Sequence, residues 1–490
     1  MKIGQKISFK RFISWTGSRA LSCGKNALNK RSFISSISTD TRTLEENDFF
    51  IPVAGQNYDG HNYIAEAVGK KCCGFVIDAK NEAALENARE KSDPKIWQEL
   101  LILQADDNVS FLLDLASNYI RRFNPVVIGI TGSAGKTTTK DFLVSILSGV
   151  FKIVFTPKNF NTEIGIALSA LEVNKDAQFF IVELGMRAKG QIGMLSRVVN
   201  LDIGAITSIG PSHLEFFKDV SEIALAKSEI ADYLDEKGGV LFLNNDDEWT
   251  DLILKKIHCK VLKYGRNNNL DYNFLEKHTD SLGKYSFEFF NKNRMITEID
   301  LPVPGFHNIY NACCAAAVCS YLGLAPNFIS IGIRNAVFGE NRMKIISGGG
   351  KIIINDCYNA SPLSMKRAID TLKLVSDKNS CRSVAILADM LELGNLSPDL
   401  HFQLGLYLKE KGIDILVAIG ELSKNICKGY EFKKITGSRE NHGREDITKY
   451  YHFMDCESFC KNAGKIIKTG DCILIKGSRA NRLEKIIDFL

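Results

Sequence analysis

The stretch Gly129-Ile-Thr-Gly-Ser-Ala-Gly-Lys-Thr-Thr-Thr139 collects residue types that hold phosphate. It leaves an apolar run at 126–128 and enters a helical pattern over 140–147. Gly132 and Gly135, with Ser133 and Ala134 between, let backbone N–H groups close around a polyphosphate. The new helix adds its positive end, Lys136 an ammonium and Thr137 a hydroxyl, with Thr138 following. Five residues rather than four separate Gly129 from Gly135, so the common spacing of such loops is missed by one. The strand before and the helix after keep the phosphate-loop reading. A bound triphosphate needs Mg²⁺, for which Thr137 supplies one oxygen and a carboxylate at a neighbouring strand end another. Glu183, in Val182-Glu-Leu-Gly185, fits that place; its bland alternative is a cap or a surface acid. His213 follows a Gly210-Pro-Ser212 turn near Glu215 and Lys227, but spacing alone does not make a lone histidine a ligand.

These residues need a frame. The chain has 490 residues, 45% hydrophobic and 24% charged, the composition of a water-soluble globular protein of about three domains. A net charge of +5 with both signs mixed along the chain does not argue for nucleic acid and suits a small anionic substrate equally well. No stretch approaches the roughly 20 apolar residues of a membrane span. Thirteen cysteines without a C-x-x-C, several in apolar runs, suggest buried free thiols in a reducing cytosol, so a cytoplasmic protein is expected. The first 39 residues hold eight Lys or Arg and no acid. That is the composition of an organelle transit peptide, or of a basic first subdomain facing an anionic ligand.

The fold class expected is α/β in three domains. Residues 1–108 alternate short apolar runs with helical stretches, a small N-terminal α/β domain. Residues 109–337 place strands at 179–183, 202–207 and 239–244 between helices, which predicts a mainly parallel, P-loop-type sheet. An antiparallel appendix is expected over 260–301, where polar and apolar residues alternate. Residues 338–490 repeat the strand-helix theme as a doubly wound, Rossmann-like domain. Ligands of such sheets sit beyond the carboxyl ends of strands, where Thr131, Glu183, Asp356, Asp389 and Lys476 fall.

Taken together, Thr131-Gly-Ser-x-Gly-Lys-Thr-Thr138, Val182-Glu-Leu-Gly185, His213-Leu-Glu215, Ala226-Lys-Ser-Glu229 and His307-Asn-x-x-Asn311 resemble the Mur ligases of peptidoglycan synthesis, from about Ser38 to Arg479. The unusual glycine spacing is the one this family shows. Segments 159–165, 356–360, 389–394 and 476–478 resemble the member that adds a D-alanyl-D-alanine dipeptide. The resemblance implies an ADP-forming ligase that joins D-alanyl-D-alanine to UDP-N-acetylmuramoyl-tripeptide through an acyl phosphate. It implies that Lys136 and Thr137 hold ATP and Mg²⁺, that Glu183 and His213 bind metal, and that Lys227 carries a carbamate that also binds metal. By the same resemblance Asn308 and Asn311 contact the nucleotide, and Arg342 and Asp356 close over it. Thr39, Thr41, Arg42 and Asn57 are implied at the uridine end, Asn159, Asn161 and Thr162 at the muramoyl peptide, and Tyr358 and Asn359 at the dipeptide. Nothing catalytic is expected before Ser36 or over 425–465. Oligomeric state stays open, with a monomer as the expectation. Three rivals remain: the neighbouring ligase adding the third amino acid, a folylpolyglutamate synthetase, and a nucleotide-binding regulatory relative without ligase activity. The first should show a His-containing segment where this chain has Tyr358-Asn-Ala360, and the second leaves the first hundred residues unexplained.

Overall fold

The computed structural model describes residues 1–23, 33–55, 58–157, 160–432 and 449–490. Their strands form three sheets. The first has six strands in the order Lys2–Ser8, Phe33–Ser38, Phe49–Phe50, Gly74–Asp78, Leu101–Ala105, Arg19–Cys23, parallel inside and antiparallel at both edges. The basic amino terminus is thus built into a sheet. Ile3, Ile7, Phe9 and Phe12 are buried, while Lys2, Lys6, Lys10 and Arg11 stay exposed. Helix Phe9–Thr16 closes at Gly17, whose φ of 61° is the left-handed C-terminal stop that glycine adopts without strain.

Helix Asn108–Ile120 joins the first sheet to the second. Its Tyr119 hydroxyl accepts from the Gln5 amide and donates to the Val173 carbonyl, both at 2.7 Å. The apolar core is accordingly continuous from Phe12 through Leu112 to Ile166.

The nine-stranded second sheet runs Arg294–Pro304, Lys284–Asn291, Tyr272–Thr279, Lys260–Gly265, Val240–Asn244, Ile203–Ile206, Val126–Thr131, Phe179–Glu183, Ile153–Phe155. The appendix is shorter than the alternation suggested. Lys260–Gly265 pairs parallel with Val240–Asn244, and antiparallel pairing begins only between Tyr272–Thr279 and Lys284–Asn291. The reason is burial: Tyr264 lies in the main core beside Phe242, so that strand belongs to the covered sheet, whatever its polar alternation. Helix His307–Tyr321, with Ala312, Cys313, Cys314, Ala315 and Ala316 all buried, packs on helix Lys136–Ser148; small side chains permit the approach.

The third sheet has the order Lys344–Gly348, Lys351–Asn355, Asp471–Lys476, Arg382–Ala388, Ile415–Ile419, Lys449–Phe453, parallel except for its first pair. That pair is a hairpin turned by Gly349 and Gly350, both at positive φ (58° and 70°), as a two-residue turn of matching twist requires. Among the described residues, Cys72, Cys313, Cys314, Cys319, Cys357, Cys427 and Cys472 are buried free thiols.

Candidate active site

The phosphate loop leaves strand Val126–Thr131, third from one edge of the second sheet, between Ile203–Ile206 and Phe179–Glu183. Gly135 heads helix Lys136–Ser148 at φ 89°, and a Cβ there would lie 2.4 Å from Asn311 Oδ1. At Gly132 a Cβ would meet Thr207 Oγ1 at 2.0 Å. Both glycines are therefore required by the space around them as well as by the turn. The loop is pinned to the next strand end: the Ser133 amide donates to the Ser208 carbonyl (2.6 Å), and the Thr207 and Ser208 hydroxyls donate to the Ala134 carbonyl (2.6 and 3.0 Å). Lys136 Nζ donates to the Gly132 carbonyl at 2.7 Å.

Next to the loop, the Thr137 hydroxyl donates to Glu183 Oε2 at 2.7 Å, and Asn161 Nδ2 donates to Oε1 at 2.9 Å. Glu183 is buried, and its own amide donates to Thr156 Oγ1 at 3.0 Å. A hydroxyl and a carboxylate side by side at a phosphate loop are the hard oxygen donors a divalent cation prefers, so the residues fit Mg²⁺. Lys227 stands behind them in helix Val220–Ser228, 1% exposed, and among the described residues it makes no ion pair. Burial, and then the charge of Lys136, push its ammonium well below the ordinary lysine range; Glu183 pulls the other way. Lys136 is itself lowered by burial and by Arg342, against Glu183.

A cavity of about 510 Å³ opens in front of this group, between the second and third sheets. Lys136, Thr137, Asn161, Glu183, His213, Asn308 and Asn311 line one side. Arg342, Asp356, Tyr358, Asn359, Glu392 and Lys476 line the other. Asn311 Nδ2 donates to Asn308 Oδ1 at 2.9 Å, and Asn308 Nδ2 to the Pro304 carbonyl at 2.7 Å, a chain that fixes both amides. Opposite, the Arg342 guanidinium lies 3.9 Å from the centre of the Tyr358 ring. Lys476, 2% exposed, donates to Asp356 Oδ2 at 2.6 Å and to the Asn359 carbonyl at 2.9 Å.

His213 reaches the same cavity from a residue at φ 56°, with Nδ1 at 2.7 Å from Glu392 Oε2. That contact holds the Glu392 carboxyl below its ordinary range despite partial burial. Sequence reasoning quoted the segment of Glu392 without giving it a role. It also missed Arg367, which donates to Ser208 Oγ at 3.2 Å, Lys140, buried and donating to the Thr156 carbonyl at 3.1 Å, and the site position of His307. Burial, then the charges of Arg367 and Lys476, lower His307 to about 3.

The remaining expected contacts divide. Thr39, Thr41 and Arg42 do not line the cavity. Thr41 is buried in a short 3₁₀ turn and its carbonyl accepts from Lys70 Nζ at 2.6 Å; Arg42 forks onto Asp40 at 2.6 to 3.0 Å. Thr162 caps helix Glu163–Leu171, accepting from the Gly165 amide. Asp389 accepts from the Ser423 amide at 2.8 Å, a structural bond. Asn57 and Asn159 lie outside the described residues. Among the described residues no group of three or more His, Cys, Asp or Glu is poised for a metal; Thr137 and Glu183 are the oxygen donors that stand side by side at the loop.

A phosphate loop on a mainly parallel sheet, facing a second α/β unit across a cleft rich in cations, suits a nucleotide-dependent ligase. The chain belongs to the Mur ligase family: residues 130–319 match the Mur ligase middle domain and 341–479 the Mur ligase glutamate ligase domain. Within it, the chain is 31% identical to the UDP-N-acetylmuramoyl-tripeptide–D-alanyl-D-alanine ligase of Bacillus subtilis, over 94% of both chains. The crystal structure of MurF from Acinetobacter baumannii superposes with a TM-score of 0.84 at 25% identity, covering 100% of this chain and 99% of that one. The MurF ligase of Thermotoga maritima in complex with ADP shares the fold, with a TM-score of 0.76 at 24% identity over 93% and 97% of the two chains.

Proposed function

We propose that this protein joins D-alanyl-D-alanine to UDP-N-acetylmuramoyl-tripeptide with ATP, making an amide bond of a peptidoglycan precursor and releasing ADP and phosphate. The observation that carries the reading is the gathering of Lys136, Thr137, Glu183 and Lys227 behind one cavity whose far wall is Arg342, Tyr358 and Lys476. The relative in Bacillus subtilis bears this activity in its name, and the match runs nearly end to end. Tyr358-Asn-Ala360 in the far wall favours the dipeptide ligase over the ligase adding the third amino acid.

The terminal carboxylate of the tripeptide attacks the γ-phosphorus of ATP, and ADP leaves with the bridging oxygen. The dipeptide amine then attacks the acyl carbon; phosphate departs and the amine sheds a proton. Two anions must meet, so the chain's task is positioning and charge compensation. The loop amides, Lys136 and Arg342 neutralise phosphate oxygens, while Asn308 and Asn311 offer amides to the adenine edge and Asp356 helps hold the nucleotide. Thr137 and Glu183 would hold Mg²⁺, joined by His213 and a carbamylated Lys227; the ion supplies further charge neutralisation when bound. The buried, lowered amine of Lys227 spends more time neutral than an exposed lysine, and the neutral amine is the form that captures CO₂.

Residues 1–108 carry the UDP-sugar through Thr39, Thr41, Arg42 and Asn57, and 109–337 carry ATP. Residues 338–490 close over it and bring the amine, with Tyr358 and Asn359 at the dipeptide and Asn159, Asn161 and Thr162 at the muramoyl peptide. Closure excludes water that would hydrolyse the acyl phosphate. A monomer in the cytoplasm is part of this proposal, in keeping with free thiols and with no described helix long and apolar enough to cross a membrane. The test is ADP release by purified protein with UDP-N-acetylmuramoyl-tripeptide and D-alanyl-D-alanine added singly and together. Turnover with both is expected, and release indifferent to the dipeptide would refute the reading.

A further inference from the structure

The positive charge of the amino-terminal segment converges on one place. Lys6 of the first strand, Arg11 of the helix that follows and Arg122, just beyond helix Asn108–Ile120, line a surface hollow of about 600 Å³ together with Gln5, Ser8 and Phe33. No carboxylate lines it, and the first acid of the chain is Asp40. All three cations are exposed, and among the described residues none of them makes an ion pair. Exposed lysines elsewhere behave differently: Lys189, Lys277 and Lys461 each meet a glutamate at 2.8 to 2.9 Å. The grouping is held by the fold. Tyr119 takes the Gln5 amide on its hydroxyl at 2.7 Å and the Arg122 amide on its carbonyl at 3.1 Å, so the strand and the turn bearing Arg122 are tied to one residue. Ser8 pairs across the sheet with Phe33, a ring left 55% exposed at the rim.

Like charges gathered without a counter-charge repel one another and keep a positive potential over the hollow, which an anionic partner relieves. The uridine end proposed above is not that partner. Strand Phe33–Ser38 starts at the hollow and runs its six residues, roughly 17 Å, before the chain reaches Thr39 to Arg42. We propose that this end of the first sheet docks on an anionic membrane surface, with Lys6, Arg11 and Arg122 against lipid phosphates and Phe33 entering the interface beside them. A nucleic acid asks for a track of cations along successive phosphates, with several aromatic faces for its bases. Here the cations surround one hollow with a single exposed ring, the pairing of basic and apolar groups that suits a plane of headgroups over hydrocarbon. The loop at 39–42 lies at the opposite end of the strand, so docking leaves it in water. The inference is independent of the ligase reading.

The experiment is co-sedimentation of the full-length protein with vesicles of phosphatidylglycerol and phosphatidylcholine, or of phosphatidylcholine alone. Binding is expected on the anionic vesicles only, and it should fade at high salt. Lys6→Ala, Arg11→Ala and Arg122→Ala should each weaken it about fivefold, and the three together about a hundredfold. Phe33→Ser should weaken it as well, without changing its salt dependence. A control that removes the same charge from exposed lysines elsewhere, Lys91→Ala, Lys255→Ala and Lys465→Ala together, should bind like wild type. The substituted side chains are exposed, so the variants should melt with wild-type midpoints, which excludes unfolding as the cause of any loss. Equal loss in the control would overturn the proposal, since net charge alone would then act; so would equal binding to the neutral vesicles. Displacement from anionic vesicles by inorganic phosphate at constant ionic strength would assign the hollow to a small free anion. Tighter binding of a mixed-sequence oligonucleotide through the same three residues would assign it to nucleic acid, and either result overturns membrane docking.

Discussion

Replacing Lys227 by methionine should stabilise the fold and abolish turnover at once. The side chain is 1% exposed, makes no ion pair among the described residues and stands near the like charge of Lys136. A buried ammonium in that setting has lost its hydration, a loss the Glu183 carboxylate offsets only in part, and exchanging buried ions for packed apolar groups of similar volume gains about 1–4 kcal/mol. For a unit of some 230 residues that is an increase in melting midpoint of roughly 2 to 15 °C. The pH dependence carries a sign. The folded-state pKa of Lys227 lies well below 10.5, so between the two values the unfolded chain binds the extra proton. Stability of the wild type therefore rises with pH across that window, and the advantage of methionine is greatest on its acid side and fades as pH climbs towards 10.5. Melting is measured in CO₂-free buffer at several pH values, then with bicarbonate, which should stabilise the wild type alone because only it has an amine to carbamylate here. ADP release should be lost in Lys227→Met under all conditions. A variant that melts below wild type in CO₂-free buffer near neutral pH, or whose advantage does not shrink with rising pH, refutes the reasoning; so does wild-type turnover.

Two further outcomes follow from the same cavity. Gly135→Ala combines a φ of 89° with a Cβ 2.4 Å from Asn311 Oδ1, so it should cost about 1–2 kcal/mol from backbone strain alone and displace the Asn311–Asn308 pair. Calorimetric titration with an ATP analogue should show affinity falling at least about tenfold, one factor per 1.4 kcal/mol; affinity equal to wild type would show the pair is not used. His307, lowered from 6.5 to about 3, makes the unfolded chain the stronger proton binder between those values. Stability owed to it is present above about 6.5 and lost as pH falls, on the order of 1.4 kcal/mol per pH unit. His307→Gln should flatten denaturant-unfolding stability against pH in that interval, and an unchanged slope would contradict the assignment.

What the sequence could disclose depended on whether a residue's task is local. The phosphate loop was legible because its turn, its lysine and its helix are consecutive, and Glu183 because the end of a strand next to such a loop is where an oxygen ligand must sit. Lys227 looked like a solvated helix lysine from its neighbours alone; the family resemblance marked it, and only tertiary burial explains its chemistry. Glu392 and Arg367 were illegible for the opposite reason. Each acts on a residue more than 150 positions away, through a docking of units that no periodicity encodes. The strand Lys260–Gly265 misled because alternation reports a half-exposed surface in isolation, while the parallel partner that covers it comes from elsewhere. The basic amino terminus was ambiguous because composition records charge and not the period-two burial of Ile3 and Ile7 across a bulged register.

Under the proposed function, the placement of charge around the cavity also says why the nucleotide should come before closure. Six Lys or Arg line it against three Asp or Glu, and four of the six, Arg342, Arg367, Lys476 and Arg479, come from the third sheet's unit. Lys476 is neutralised by Asp356, but Arg342, Arg367 and Arg479 have no cavity carboxylate within ion-pair distance. Bringing them down over Lys136 and Lys227 opposes like charges in a partly desolvated space, where such repulsion is strongest. A triphosphate on the loop reverses the sign: the cations that resisted approach now share an anion, and closing becomes favourable by the difference in its affinity for the two arrangements. The uncharged parts of the proposed substrates cannot replace that polyanion, so the proposed closure would be tied to the phosphates, the groups proposed to react.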